Sequence, residues 1–283
     1  MALPSYAGPL ERTWHYTYLV ICGLIFFFLI APILVIIPLS FNVQPYFTYT
    51  REMLTFDPAG YSLRWYRDFL TSDAWLTSIR NSFVIGIFAT IVATTLGTIA
   101  ALGLSRAHMP FRALIMAILI SPMIVPLIIS AAGMFFFYSS IGLAQTFPGI
   151  ILAHAALGTP FVVITVTATL VGFDQSLTRA AASLGASPTT TFFKVTLPLI
   201  LPGVISGALF AFITSFDEIV IILFVGGVEQ RTIPREMWSG IREQISPTIL
   251  AVATILVLVS VALLTTLELL RRRSERQRGI RVN

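Results

Sequence analysis

The chain has 283 residues, of which 56% are hydrophobic and only 11% charged. A soluble chain of average composition carries roughly 25% charge, and so few charges cannot cover a soluble surface. The composition is that of an integral membrane protein and excludes a disordered chain, a disulfide-stapled secreted domain and most soluble enzymes. Net charge is +5, and the single Cys22 allows neither a disulfide nor a cysteine-based metal framework within the chain.

A transmembrane helix needs roughly 20 mostly apolar residues to cross about 30 Å of hydrocarbon. Six segments qualify in chain order: about Leu19–Leu39, Phe83–Leu104, Leu114–Phe137, Pro148–Val171, Leu199–Val225 and Thr248–Leu270. The first is too long for a signal-peptide core. No small-x-small site follows it before Asn42, so it reads as a retained anchor. Pro122, Pro126 and Pro160 fall inside spans, where neighbouring helices can satisfy the freed carbonyls. The expected fold is an all-α membrane domain over 19–270, preceded by a short segment, 1–18, and followed by a basic tail, 271–283. No 20–50-residue repeat divides it.

Six spans place both termini on one side. That side holds 1–18, 105–112, 172–198 and the tail, with eleven Lys/Arg against Glu11, Asp174 and Glu275. The opposite loops, 42–80, 138–147 and 226–247, balance their charges. The positive-inside rule makes the first side cytoplasmic. Arg271, Arg272 and Arg273 with Arg276, Arg278 and Arg281 then form an anchor at lipid headgroups; no aromatic interleaving points to nucleic acid. Outside, Ser62–Asp68, with Trp65 and Tyr66, reads as a short amphipathic helix at the membrane interface.

Site chemistry is sparse. There is no G-x-x-x-x-G-K-[ST] phosphate loop, no H-E-x-x-H and no G-x-S-x-G elbow. His15, His108 and His154 are scattered, and a hydrogen-bonded packing role is the simpler reading of His154. No metal or other cofactor is expected in this chain. Energy for any work would come from elsewhere.

The informative stretch is 174–203. Ala180, Ala181 and Ala182 favour helix and carry minimal side chains. Gly185 suits a left-handed cap, and Ser187-Pro188 supplies an N-cap followed by proline at the first helical position. A short helix with an alanine face lets another protein approach closely; the plainer alternative is a connector lying flat on the membrane.

The spacing discriminates between them. The segment resembles the cytoplasmic E-A-A-x3-G-x9-I-x-L-P signature of permease subunits from binding-protein-dependent (type I) ABC importers. Ala180 and Ala181 match the alanines. Gly185 follows after three residues, Val195 stands for isoleucine after nine more, and Leu197-Pro198 closes the pattern. Arg179 occupies the glutamate position, so an acidic contact to an ATPase does not carry over. The six spans, the Trp65-Tyr66 loop, Arg80-Asn81-Ser82 and Ser215-Phe216-Asp217-Glu218 extend the resemblance over about 15–270, toward the spermidine/putrescine branch.

The resemblance implies a multi-pass protein of the bacterial inner membrane. Its implied partners are a second permease, a paralogue, two ATP-binding subunits that hold ATP and Mg, and a periplasmic or extracellular solute-binding protein. This chain would not itself be an enzyme. Arg179, Ala180, Ala181, Leu184 and Gly185, within a coupling segment at 174–198, would sit in the ATPase groove.

For the solute path, Asp217 and Glu218 are the expected contacts, since an intramembrane carboxylate costs roughly 2.5–3.5 kcal/mol to insert and usually faces a cavity or a partner. Phe212 and Phe216 would add cation–π attraction for a polyamine. Neighbouring helical positions diverge by about 100°, so the two acids should not face one path together. Their alternative is pairing with Arg231 or Arg235. Trp238 would touch the binding protein or anchor at headgroups, and Gly203-x3-Gly207 would permit a close helix crossing. Competing readings are another solute (a small amine, an opine-like compound or a phosphonate), an ion-coupled secondary carrier, or a membrane-embedded enzyme.

Overall fold

The structure, a computed structural model, describes residues 8–106, 109–243 and 246–277. Residues 1–7 of the N-terminal segment, His108, and Arg278 and Arg281 of the basic tail lie outside the described residues. In chain order the helices are α1 (Pro9–Leu39), α2 (Arg51–Leu54), α3 (Arg64–Thr71), α4 (Asp73–Leu104), α5 (Arg112–Ile124), α6 (Leu127–Ser140), α7 (Phe147–Val171), α8 (Ser176–Ser183), α9 (Pro188–Thr191), α10 (Leu197–Phe216), α11 (Val220–Val225), α12 (Ile233–Glu243) and α13 (Thr248–Gln277). The fold is all-α among the described residues, save an isolated bridge between Asn42 and Tyr61.

Helices α1, α4 and α7, and the run Pro188–Phe216, are long and apolar enough to cross a membrane. The run Pro188–Phe216 joins α9 to α10 through a π turn at Phe192–Thr196. The span expected over Leu114–Phe137 is not one continuous helix. It is two helices, α5 and α6, bent by 102°. Pro126 is the cause: it forces Val125 into an extended conformation (φ −69°, ψ 133°) and offers no N–H to continue the ladder. The expected span over Leu199–Val225 is likewise interrupted, since α10 stops at Phe216 and α11 begins at Val220. The sixth expected span starts where predicted, at Thr248, and its described apolar part reaches Ala262.

The chain divides into two compact units, 73–238 and 1–72 with 239–283. In the first, α4, α7 and α10 pack around Ala89, Ala93, Ala101, Val162, Val166 and Ala211, all buried. Alanine and glycine dominate because the backbones approach closely, as apolar helix interfaces require. A Cβ added at Gly97 would lie 2.7 Å from the Val162 Cβ, and one at Gly158 would lie 2.9 Å from the Ala211 Cβ. Gly207 of the Gly203-x3-Gly207 pair meets Thr165 of α7 in the same way. A second cluster joins α4, α6, α7 and α11 through Ile85, Ala131, Ile150, Leu157, Ile221 and Val225.

In the other unit, α3 forms as predicted, and Trp65 packs against the chain. It is 7% exposed, and its Nε1–H donates to the Asn42 carbonyl at 2.7 Å. The Tyr66 hydroxyl meets Ser40 Oγ at 2.6 Å, and Thr248 Oγ donates to Asp68 at 2.7 Å. These bonds tie the loop to the ends of α1 and α13. The indole hydrogen bond offsets the cost of burying the Trp65 ring.

Candidate functional site

The acid pair sits at the break after α10. Asp217 caps α10, with its N–H still bonded to the Ile213 carbonyl. Glu218 turns the other way. It is 8% exposed, and its Oε1 accepts the Ile221 N–H at 2.9 Å, capping the first turn of α11. A carboxylate there satisfies an orphan donor and complements the positive end of the helix. Asp217 is exposed. The two acids therefore stand in different surroundings, one exposed and one buried.

Neither acid takes the arginine partners considered above. Arg231 pairs with Glu236 at 3.4 Å, and Arg235 donates to the Gly227 carbonyl at 2.6 Å. Phe212 and Phe216 stack with centroids 5.5 Å apart, and Phe83 of α4 meets Phe216 edge-on at 5.4 Å. A half-buried aromatic cluster thus lies immediately before Asp217. Gly86 makes room for it, since an added Cβ would come within 3.0 Å of the Phe212 ring.

Residues far apart in sequence fix this end of α10 and the segment that follows α11. His154 of α7 is 1% exposed and its Nδ1 lies 2.8 Å from Ser215 Oγ. That is the packing role expected of it, but the partner, 61 positions away, was not predictable. Asn81 of α4 donates to the Glu229 and Arg231 carbonyls at 2.7 and 2.9 Å, and Ser82 Oγ accepts the Ile233 N–H. The Arg80-Asn81-Ser82 triplet carried this signal as a resemblance, without a mechanism. Trp238, on α12, is 44% exposed.

The second location is α8. Gly185 takes φ +81°, its N–H bonds to the Ala182 carbonyl, and the Ala186 N–H bonds to the Ala181 carbonyl. This paired capping is the Schellman arrangement that the glycine suggested. Ser187 Oγ accepts the Thr190 N–H at 3.3 Å and starts α9, as predicted. Before α8, Asp174 accepts from the Ser176 N–H and hydroxyl. Those bonds, with a smaller contribution from Arg179, hold its carboxyl below the usual carboxylate range. Arg179, Ala180 and Ala182 are exposed, Ala181 is half-buried, and Leu184 is 88% exposed. A firmly capped helix thus presents small side chains and one bare leucine outward. Among the described residues, no group of three or more His, Cys, Asp or Glu could hold a metal ion.

Residues 93–276 match the family described as binding-protein-dependent transport system inner membrane component. The chain belongs to that family, the membrane components of transport systems that depend on a binding protein. It is 30% identical over 250 residues to the spermidine/putrescine transport system permease protein PotC of Haemophilus influenzae, covering 88% of this chain and 94% of that protein. It is 35% identical over 249 residues to the putrescine transport system permease protein PotI of Escherichia coli K12, covering 84% of each. Among solved structures, a bacterial ABC transporter involved in import of the acidic polysaccharide alginate matches with a TM-score of 0.76 at 17% identity. The match covers 94% of this chain and 99% of that one. The alginate transporter in complex with a pentasaccharide-bound periplasmic protein matches with a TM-score of 0.63 at 16% identity, covering 97% and 98%. The fold is that of an ABC importer permease, and the protein is a multi-pass component of the inner membrane.

Proposed function

We propose that this chain is one of two permease subunits of an ATP-driven importer, and that its solute is a polyamine-like cation. The observation that carries the reading is α8: an exposed alanine face, closed by a left-handed Gly185, in the segment whose spacing resembles the importer signature. The solute assignment draws support from the named relatives and from Asp217 standing next to stacked phenylalanines. A flexible polycation is held by carboxylates and aromatic faces.

In this reading both termini are cytoplasmic, and six spans are completed by α5–α6 and α13. A solute-binding protein delivers solute to the outer face of the permease pair. Two partner subunits bind and hydrolyse ATP with Mg. Closing of those subunits moves α8, and α8 carries the displacement through α9 and the π turn into α10. Alternating access follows, each conformation being favoured by a different ligand. Arg179, at the position where the signature has glutamate, would meet a groove of opposite sign or contribute little. Uptake of labelled putrescine by proteoliposomes holding the whole complex tests the reading. ATP-dependent, binding-protein-dependent accumulation is expected; accumulation that persists without the ATPase subunits would instead indicate an ion-coupled carrier.

A further inference from the structure

Two adjoining cavities open where α4 and α7 end beside α8. The larger, about 450 Å³, has Arg106 on its wall; the smaller, about 200 Å³, has Arg112. They share Ser105, Leu170, Phe173 and Gln175, so they are lobes of one depression. Among the described residues, no carboxylate lines either lobe. Asp174, next to the shared wall, is engaged by Ser176. Among the described residues neither arginine side chain has a hydrogen bond or an ion pair. Thr167 on the wall of the smaller lobe is 8% exposed, and among the described residues its buried hydroxyl has no partner. A buried donor left unmade is costly.

The geometry points to a binding site for a phosphate group, carried by an anionic phospholipid headgroup. Arginine suits phosphate because its planar fork donates two parallel hydrogen bonds. The Thr167 hydroxyl and the Gln175 amide supply further donors on the same wall. The rim argues for a lipid as the source of the phosphate. Val171, which lines the smaller lobe, is 79% exposed, and Phe111, immediately before Arg112, is 77% exposed. Phe111 also takes φ +52°, a conformation uncommon for a bulky residue. Free phosphate has no use for an apolar rim, whereas acyl chains do. Basic pockets between transmembrane helices take lipid headgroups by this combination of charge and apolar border.

The test uses the full chain assembled with its transport partners in phosphatidylcholine nanodiscs containing phosphatidylglycerol, with lipid retained after detergent extraction counted by native mass spectrometry. Wild type retains phosphatidylglycerol over phosphatidylcholine. Arg106→Gln and Arg112→Gln each lower retention about fivefold, and the double variant on the order of 25-fold. Arg64→Gln, far from the cavities in sequence, leaves retention unchanged. Thr167→Val, an isosteric change, also lowers retention and carries the test should the double variant fail to assemble. Excess inorganic phosphate does not displace the lipid; displacement would overturn the lipid as the source and assign the site to the free anion. Equal retention by wild type, Thr167→Val and the arginine variants overturns the site. Because the readout is lipid and not transport, its failure is distinguishable from failure of the proposed function.

Discussion

Asp217 and Glu218 are adjacent carboxylates with different surroundings, the first exposed and the second buried. Glu218 is buried and accepts the Ile221 N–H, so its carboxyl oxygen stabilises the start of α11. Glu218→Ala should lower the apparent melting temperature of the assembled complex, by about 1–2 kcal/mol of stability, as lost caps do. An unmoved melting transition would count against capping. Asp217 is exposed beside the Phe212–Phe216 stack and is the freer of the two to meet a cation. Asp217→Asn should raise the half-saturating putrescine concentration in proteoliposome uptake about tenfold or more, the scale of a lost charged hydrogen bond. An unchanged concentration dependence would remove Asp217 from the solute path. Sequence spacing already said that the two acids diverge. Which one turned inward depended on where α10 stopped, and helical periodicity does not contain that information.

At the scale of elements, the most legible piece was the shortest. Ala180–Ala182, Gly185 and Ser187-Pro188 specify their local structure through propensity, a left-handed cap and a proline at the first helical turn, all interactions within a few residues. Nothing lies within 4 Å of an added Cβ at Gly185, so only its positive φ demands glycine. Gly185→Ala should therefore destabilise the cap by about 1 kcal/mol, read as faster amide exchange across 181–186 with uptake reduced in step; unaltered exchange would contradict the cap. The broken third span was illegible for a related reason. A hydropathy window reports that Leu114–Phe137 is apolar, not which way the chain points. Pro126 lay in view as a tolerated interruption, whereas the backbone turns by 102° there. The α4–α7–α10 contacts were also hidden, because a glycine reveals a close crossing only when its partner helix is known. Gly158→Leu, pressed against Ala211 and Ala93, should cost about 1–3 kcal/mol or more as overpacking. The check is the melting transition of the complex, and a variant as stable as wild type would show that the interface is looser than its distances.

For the whole molecule, the claim is that this chain transmits work and does not generate it. Long apolar helices pack through small-residue contacts, and α8 is a firmly capped, largely exposed helix. In the proposed function, that helix is where a partner's conformational change enters. The direct measurement is the ratio of solute imported to ATP hydrolysed in proteoliposomes carrying the complete complex, comparing wild type with Ala181→Trp. The account predicts that the bulky indole abolishes ATP-dependent uptake, or lowers the ratio severalfold, while the complex still assembles. Fully coupled uptake by Ala181→Trp would contradict it.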